Sequence, residues 1–153
     1  MRYNSIRTMD ISNGPGIRVS IFVQGCPIHC KGCFNKIAWD FNKGKLFTND
    51  TINHILNLAK DSHIKGLSIL GGEPLAKENL DGVKSLIIAF RDKYPDKDIW
   101  LWTGYNYEQL NTKQLKVISL VDSFIDGPFI EELKDPNLLY RGSSNQKVHK
   151  IIH

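Results

Sequence analysis

All three cysteines of this 153-residue chain, Cys26, Cys30 and Cys33, fall inside eight residues, directly after a run that reads as a buried strand, Val19 to Gln24. Thiols so close are no scatter of core cysteines. An iron–sulfur cube normally takes four protein sulfurs. Three leave one iron without a protein ligand, and in a metal enzyme an open position is where substrate binds. Two simpler uses compete. A disulfide plus a free thiol suits a secreted protein, but there is no framework of paired half-cystines, and the chain is expected to lack a secretory leader. A structural zinc site would recruit His29 as its fourth ligand. A loop this short would hardly aim all four groups at one tetrahedral centre, so His29 is expected in solvent.

The rest of the chain repeats one arrangement, a strand followed by a turn of small or polar residues. Gly66–Leu70 reads as the second strand and ends in Gly71-Gly72-Glu73-Pro74. Asp98–Trp102 is the third, followed by Thr103-Gly104-Tyr105, and Val121–Ile125 the fourth, followed by Asp126-Gly127-Pro128-Phe129. Between them helical periodicity predicts helices from a Thr48 or Asn49 cap through Lys60, over Leu80–Tyr94 behind Asn79, and from a Thr112 cap to about Leu120. Residues 1–18 read as turn-rich around Asn13-Gly14-Pro15-Gly16. Phe34–Phe41 reads as a short helix or turn with Trp39 in the core, and a short helix is expected near Glu131–Lys134.

Strand and helix alternating at this spacing argue for parallel βα units with right-handed crossovers. The fold class expected is α/β, a single domain over residues 1–153 forming an incomplete, partial βα barrel of about five units, short of the roughly 250 residues of a complete eight-unit barrel. The cysteine loop and the three later turns would then share the rim at the strands' C-terminal ends, where such folds keep their active sites.

Composition excludes some partners. Hydrophobic residues at 41% and charged residues at 24% are ordinary for a globular chain. The net charge of +4 comes from scattered lysines without a basic stripe, so no nucleic acid is expected. No apolar run approaches a membrane span. Free thiols around an open iron predict a reducing, cytoplasmic setting poor in oxygen.

Cys-x3-Cys-x2-Cys followed by the aromatic Phe34 resembles the cluster motif of the radical S-adenosylmethionine family. Further segments extend the resemblance over nearly the whole chain: Asn13–Gly16, Phe22–Cys26, Gly71–Pro74, Trp100–Tyr105, Asp126–Phe129, Leu133–Pro136 and Arg141–Gln146. They are similar to the activases of glycyl-radical enzymes, in particular those serving the anaerobic ribonucleoside-triphosphate reductase. The activases of pyruvate formate-lyase are the alternative, and a non-catalytic zinc-binding adaptor is the other.

The resemblance implies a 4Fe-4S cluster on Cys26, Cys30 and Cys33, with S-adenosyl-L-methionine at its open iron. It implies methionine-binding roles for Gly71, Gly72 and Glu73, and an adenine contact at Phe34. Ribose or cation contacts would fall to Thr103 and Asp126, and closure over the cofactor or contact with the partner to Arg141, Ser143 and Asn145. Asn13 to Gly16 would guide the partner's glycine loop. The implied partners are the reductase large subunit, as protein substrate, and a flavodoxin-like electron donor.

Overall fold

Residues 1–33 and 36–153 are described by a computed structural model. Alternate residues of the predicted central strands separate cleanly into two faces. Val19, Ile21 and Val23 of β2 (Ile17–Val23), Leu67 and Ile69 of β4 (Ile64–Gly71), and Ile99 and Leu101 of β5 (Asp98–Trp102) are fully buried. They lie in register, Val19 beside Leu67 beside Ile99 and Ile21 beside Ile69 beside Leu101, with Phe124 of β6 (Ser123–Asp126) completing the second row. Three helices, α1 (Asn49–Leu58), α2 (Leu80–Lys93) and α3 (Thr112–Ile118), cover these rows through Ile52, Ile55, Val83, Leu86, Ile87, Phe90, Val117 and Ile118. Parallel strands need such crossover helices.

The four predicted strands are all present and parallel. They number four, joined by three helices, rather than about five units. Among the described residues the sheet has seven strands in the order β3-β1-β2-β4-β5-β6-β7. Its borders are antiparallel: β1 (Arg2–Asp10) on β2, β3 (Lys45–Leu46) on β1, and β7 (Lys147–Lys150) on β6. The opening segment is therefore largely strand, and its turn is confined to residues 11–16. Its Arg-Tyr-Asn-Ser-Ile-Arg-Thr-Met-Asp run shows no alternation of apolar residues, because pairing to β2 rather than burial holds it. The third helix begins one residue earlier than expected: Asn111, not Thr112, is the cap, its Oδ1 accepting from Gln114 N–H at 2.9 Å while Gln114 Oε1 accepts from Asn111 N–H at 2.9 Å.

The other face of the central strands carries polar groups that must be satisfied. Arg18 is fully buried. Its Nε donates to Ser68 Oγ at 2.7 Å, its terminal nitrogens donate to Pro15 O at 3.0 Å and Leu67 O at 2.9 Å, and it pairs with Asp98 at 2.7 Å. Asp10 accepts from Ser20 Oγ at 2.6 Å, Asn13 Nδ2 at 2.7 Å and Ser12 N–H at 2.9 Å. Burial alone would raise the Asp10 pKa; these donors and nearby Arg7 outweigh it and hold the carboxyl below its ordinary range. The two networks lock the 11–16 turn against β2 and β4. Removing one partner of a buried charged network typically costs about 3–5 kcal/mol. R18A is expected to lose about that much in urea unfolding of the cluster-free chain, through a lower midpoint with an unchanged slope.

Candidate functional site

The cysteine loop leaves β2 through Gly25, whose φ of +99° is a glycine conformation and whose position against the Phe41 ring leaves no space for a Cβ. The loop is fastened on both sides. Gly25 N–H donates to Ala38 O at 2.6 Å and Cys26 N–H to Trp39 O at 3.1 Å. On the other flank, Gly72 N–H donates to Val23 O at 2.9 Å and Glu73 N–H to Gly25 O at 2.8 Å. The Gly-Gly-Glu-Pro turn is thus bonded to the cysteine loop. A Cβ on Gly72 would run into Gly25 O and come within 2.8 Å of Ala38 O, and Gly71, at φ +118°, faces the Phe22–Val23 backbone equally closely. Both glycines admit neighbouring main chain.

Asn79 precedes α2, but its side chain makes no cap bond. Its Nδ2 donates to Gln24 O at 3.1 Å and Glu73 O at 3.0 Å, clamping the two turns together. Gln24 Nε2 donates to Ile37 O and Asp40 O, both at 2.9 Å, and so holds the segment after the cysteines. The sequence pattern marks Asn79 only as a helix cap and gives Gln24 no role. The available signal was a polar residue at the end of a β-branched strand, immediately before a glycine.

These turns enclose a cavity of about 390 Å³ at the C-terminal ends of the parallel strands. Cys26, Cys30, Cys33, Gly71, Gly72, Glu73 and Thr103 all border it, so most of the predicted site residues are brought together. Asn13, Trp39, Trp102, Tyr140, Arg141 and Gln146 also line it. Trp39 is therefore half-buried at the cavity, not in the core as expected. His29 is exposed, as expected, with its ring stacked on Trp39 at 4.4 Å and 7°.

Three predicted residues stand back from the cavity. Asp126 Oδ2 accepts from Tyr107 N–H at 2.9 Å and its Oδ1 meets His149 Nε2 at 2.8 Å. Ser143 Oγ donates to Asn145 Oδ1 at 2.6 Å, and Asn145 Nδ2 donates to Pro128 O at 2.8 Å. These bonds brace the loops that carry Gly127, Phe129 and Arg141 to the cavity wall. Phe34 lies outside the described residues.

Glu73 is 1% exposed. Its Oε2 accepts from Thr103 Oγ1 at 2.7 Å and Leu75 N–H at 2.9 Å, and its Oε1 accepts from Gly104 N–H at 2.6 Å. Burial pushes its pKa up to about 7 despite these donors. Burial likewise raises the Cys26 and Cys30 thiols.

The donor set fits an iron–sulfur cluster. Three thiols border one cavity, and no three His, Cys, Asp or Glu side chains among the described residues gather closely enough for a single ion. His29, turned onto Trp39, is not part of a four-ligand zinc set.

Two outcomes follow from this geometry. G72A forces the cysteine loop off the Gly-Gly-Glu-Pro turn and is expected to cost about 1–3 kcal/mol by overpacking, with reduced iron uptake in anaerobic reconstitution. Glu73 titrates at about 7 when folded, against 4.5 for an unperturbed glutamate, so the folded chain holds the extra proton between those values. Its contribution is fully present below pH 4.5 and lost as pH rises through 7, by up to about 3 kcal/mol. Denaturant unfolding of the cluster-free chain between about pH 4.5 and 7.5 should show this slope, and E73Q should flatten it.

Residues 12–149 match the 4Fe-4S single cluster domain family. The anaerobic ribonucleoside-triphosphate reductase-activating protein of Escherichia coli is 44% identical over 153 residues, covering 99% of each chain. The protein of the same name from Vibrio cholerae is 41% identical over 153 residues, again covering 99% of each. That of Enterobacteria phage T4 is 40% identical over 148 residues, 97% of this chain and 93% of the relative. With three thiols around one cavity and nearly its whole length aligned with these relatives, this chain belongs to the 4Fe-4S single cluster domain family and to the anaerobic ribonucleoside-triphosphate reductase-activating proteins.

Proposed function

We propose that this chain installs a glycyl radical on the large subunit of an anaerobic ribonucleoside-triphosphate reductase, using a 4Fe-4S cluster and S-adenosyl-L-methionine. The observation that carries the reading is one cavity bordered by three thiols and a buried carboxylate. Held there by Cys26, Cys30 and Cys33, a cluster would supply the one-electron reduction that splits the sulfonium of S-adenosyl-L-methionine, and with it the means to remove a hydrogen atom from a glycine Cα of the partner. All the chain's cysteines lie in the cluster loop, so the electron comes from outside, from a flavodoxin-like donor. Oxygen-poor cytoplasm suits such a group.

The chain's own residues bind and shelter. Cys26, Cys30 and Cys33 hold three irons. Glu73 receives the methionine ammonium, whose positive charge draws the carboxyl into its ionised form, and Thr103, Leu75 and Gly104 keep that carboxylate aimed. Ile28, Leu70, Trp102 and Phe129 supply apolar wall that excludes water from a reactive radical. Asp126, Ser143 and Asn145 act through the loops they brace. Arg141, at the cavity wall, is available to an anionic or carbonyl group of cofactor or partner. We read the chain as one domain, its sheet curved as an incomplete barrel whose open flank admits the partner's glycine loop.

Mixing the reconstituted chain, the reductase large subunit, S-adenosyl-L-methionine and a reductant without oxygen is expected to give a glycyl-radical signal on the reductase by electron paramagnetic resonance. No signal there, with one on a pyruvate formate-lyase instead, would reassign the substrate. A colourless protein holding one zinc would end the reading altogether. Replacing Cys26, Cys30 or Cys33 by serine should abolish radical formation. A hydrogen bond to a charged group contributes about 1.5–3 kcal/mol, so E73Q should weaken S-adenosyl-L-methionine binding about 10- to 150-fold by equilibrium dialysis.

A further inference from the structure

Glu73 borders the cavity and yet is 1% exposed, so the approach to its carboxylate is narrow. A carboxylate offers about four acceptor positions, shared equally between its oxygens. Thr103 Oγ1 and Leu75 N–H occupy those of Oε2, and Gly104 N–H occupies one on Oε1. Among the described residues the remaining position on Oε1 has no donor. Gly104 also shows what stands beside that oxygen. A Cβ built on Gly104 would have Glu73 Oε1 at 3.4 Å and Ile28 Cδ1 at 2.7 Å, so the carboxylate oxygen and the isoleucine methyl flank one small space. Ile28 is half-buried, lies between Cys26 and Cys30, and lines the cavity together with Gly104 and Glu73. Its loop is tied to the carboxylate's own main chain by the bond from Glu73 N–H to Gly25 O at 2.8 Å.

We propose that Ile28 is a positioning residue for the amine of the ligand: its terminal methyl bounds the open acceptor position on Glu73 Oε1, keeps that position narrow and dry, and so reserves it for an amino acid's ammonium group. The inference rests on the S-adenosyl-L-methionine reading made under Proposed function. Water at Oε1 would compete with the ammonium and screen the pair, whereas an apolar neighbour excludes that water and strengthens the pair. Gly104 makes the arrangement possible twice over. Its N–H holds Oε1 at 2.6 Å, and its missing side chain leaves the space on which the Ile28 methyl rests. The thiol loop thus contributes to the amine position through an apolar residue that takes no part in holding iron.

The test is equilibrium dialysis of S-adenosyl-L-methionine against the reconstituted chain, with iron and sulfide content measured for every variant. I28V removes the named methyl alone and is expected to weaken binding about 10-fold, the low end of what one methylene contributes at a ligand site. G104A drives a Cβ into the same methyl and is expected to weaken binding by a similar factor. In I28V/G104A the added Cβ takes the space the methyl has left, and affinity should return to within about 2-fold of the wild type. Because Ile28 acts through Glu73, I28V should cost less than about 2-fold when E73Q is already present. Loaded I28V and G104A chains that bind like the wild type overturn this inference and leave the proposed function standing. A loss that persists undiminished beside E73Q, or that G104A fails to repair, marks a loosened loop and also overturns it. Should I28V fail to load iron and sulfide, G104A decides alone, since it leaves the cysteine loop unaltered, and wild-type affinity there overturns the inference. A wild type that binds no S-adenosyl-L-methionine overturns both.

Discussion

The site depends on the backbone bonds between the end of β2 and the end of β4. Gly72 N–H to Val23 O and Glu73 N–H to Gly25 O join two turns that are nearly fifty residues apart in sequence. They form because β2 and β4 are parallel neighbours in matching register, Val23 beside Gly71. Both chains therefore leave the sheet at the same level and in the same direction. Parallel pairing thus does more than build a core. It delivers thiols from one turn and a carboxylate from the next to a common rim, and the glycines let the two main chains touch where any side chain would part them.

That junction is polar and buried, and most of its polar groups are paired, with Gln24 Oε1 and Trp39 Nε1 as the exceptions among the described residues. Asn79, Gln24 and Thr103 each donate to a carbonyl or carboxylate at this junction. One level down the sheet Arg18 donates and Asp10 accepts to the same end, where apolar residues would have sufficed for folding alone. One consequence is stiffness beneath the cavity. The 11–16 turn, which carries Asn13 to the cavity edge, is tied to Asp10 and to Ser68 and has little freedom to move independently of the strands.

How much of this could be read from sequence depended on the kind of force involved. Central strands and helices were legible because burial writes itself as periodicity, and Val19, Ile21, Leu67 and Ile69 fell where that periodicity put them. The cysteine loop, Gly71 to Glu73 and Thr103 were legible as a site because each follows a strand. The border strands were not, since β1 and β7 are held by pairing to a neighbour and show mixed burial. Nor were the second uses of polar residues. Asn79 looks like a cap and serves as a clamp, Asp126 looks like a ligand and holds Tyr107 and His149, and Trp39 looks like core and lines the cavity. A side chain's partner lies across the fold, and local pattern carries no record of it.

The same asymmetry bears on how the cavity receives a charged guest. Glu73 sits where burial works against its charge, and three donors fall short of offsetting that burial. Burial therefore leaves a proton on part of the Glu73 population near neutral pH, and pairing with a cation would release it. Binding is then coupled to proton release near neutral pH, and the ion pair forms in a water-poor wall where it is stronger than in solvent. An ammonium group would gain a charged partner already held at three points by Thr103, Leu75 and Gly104.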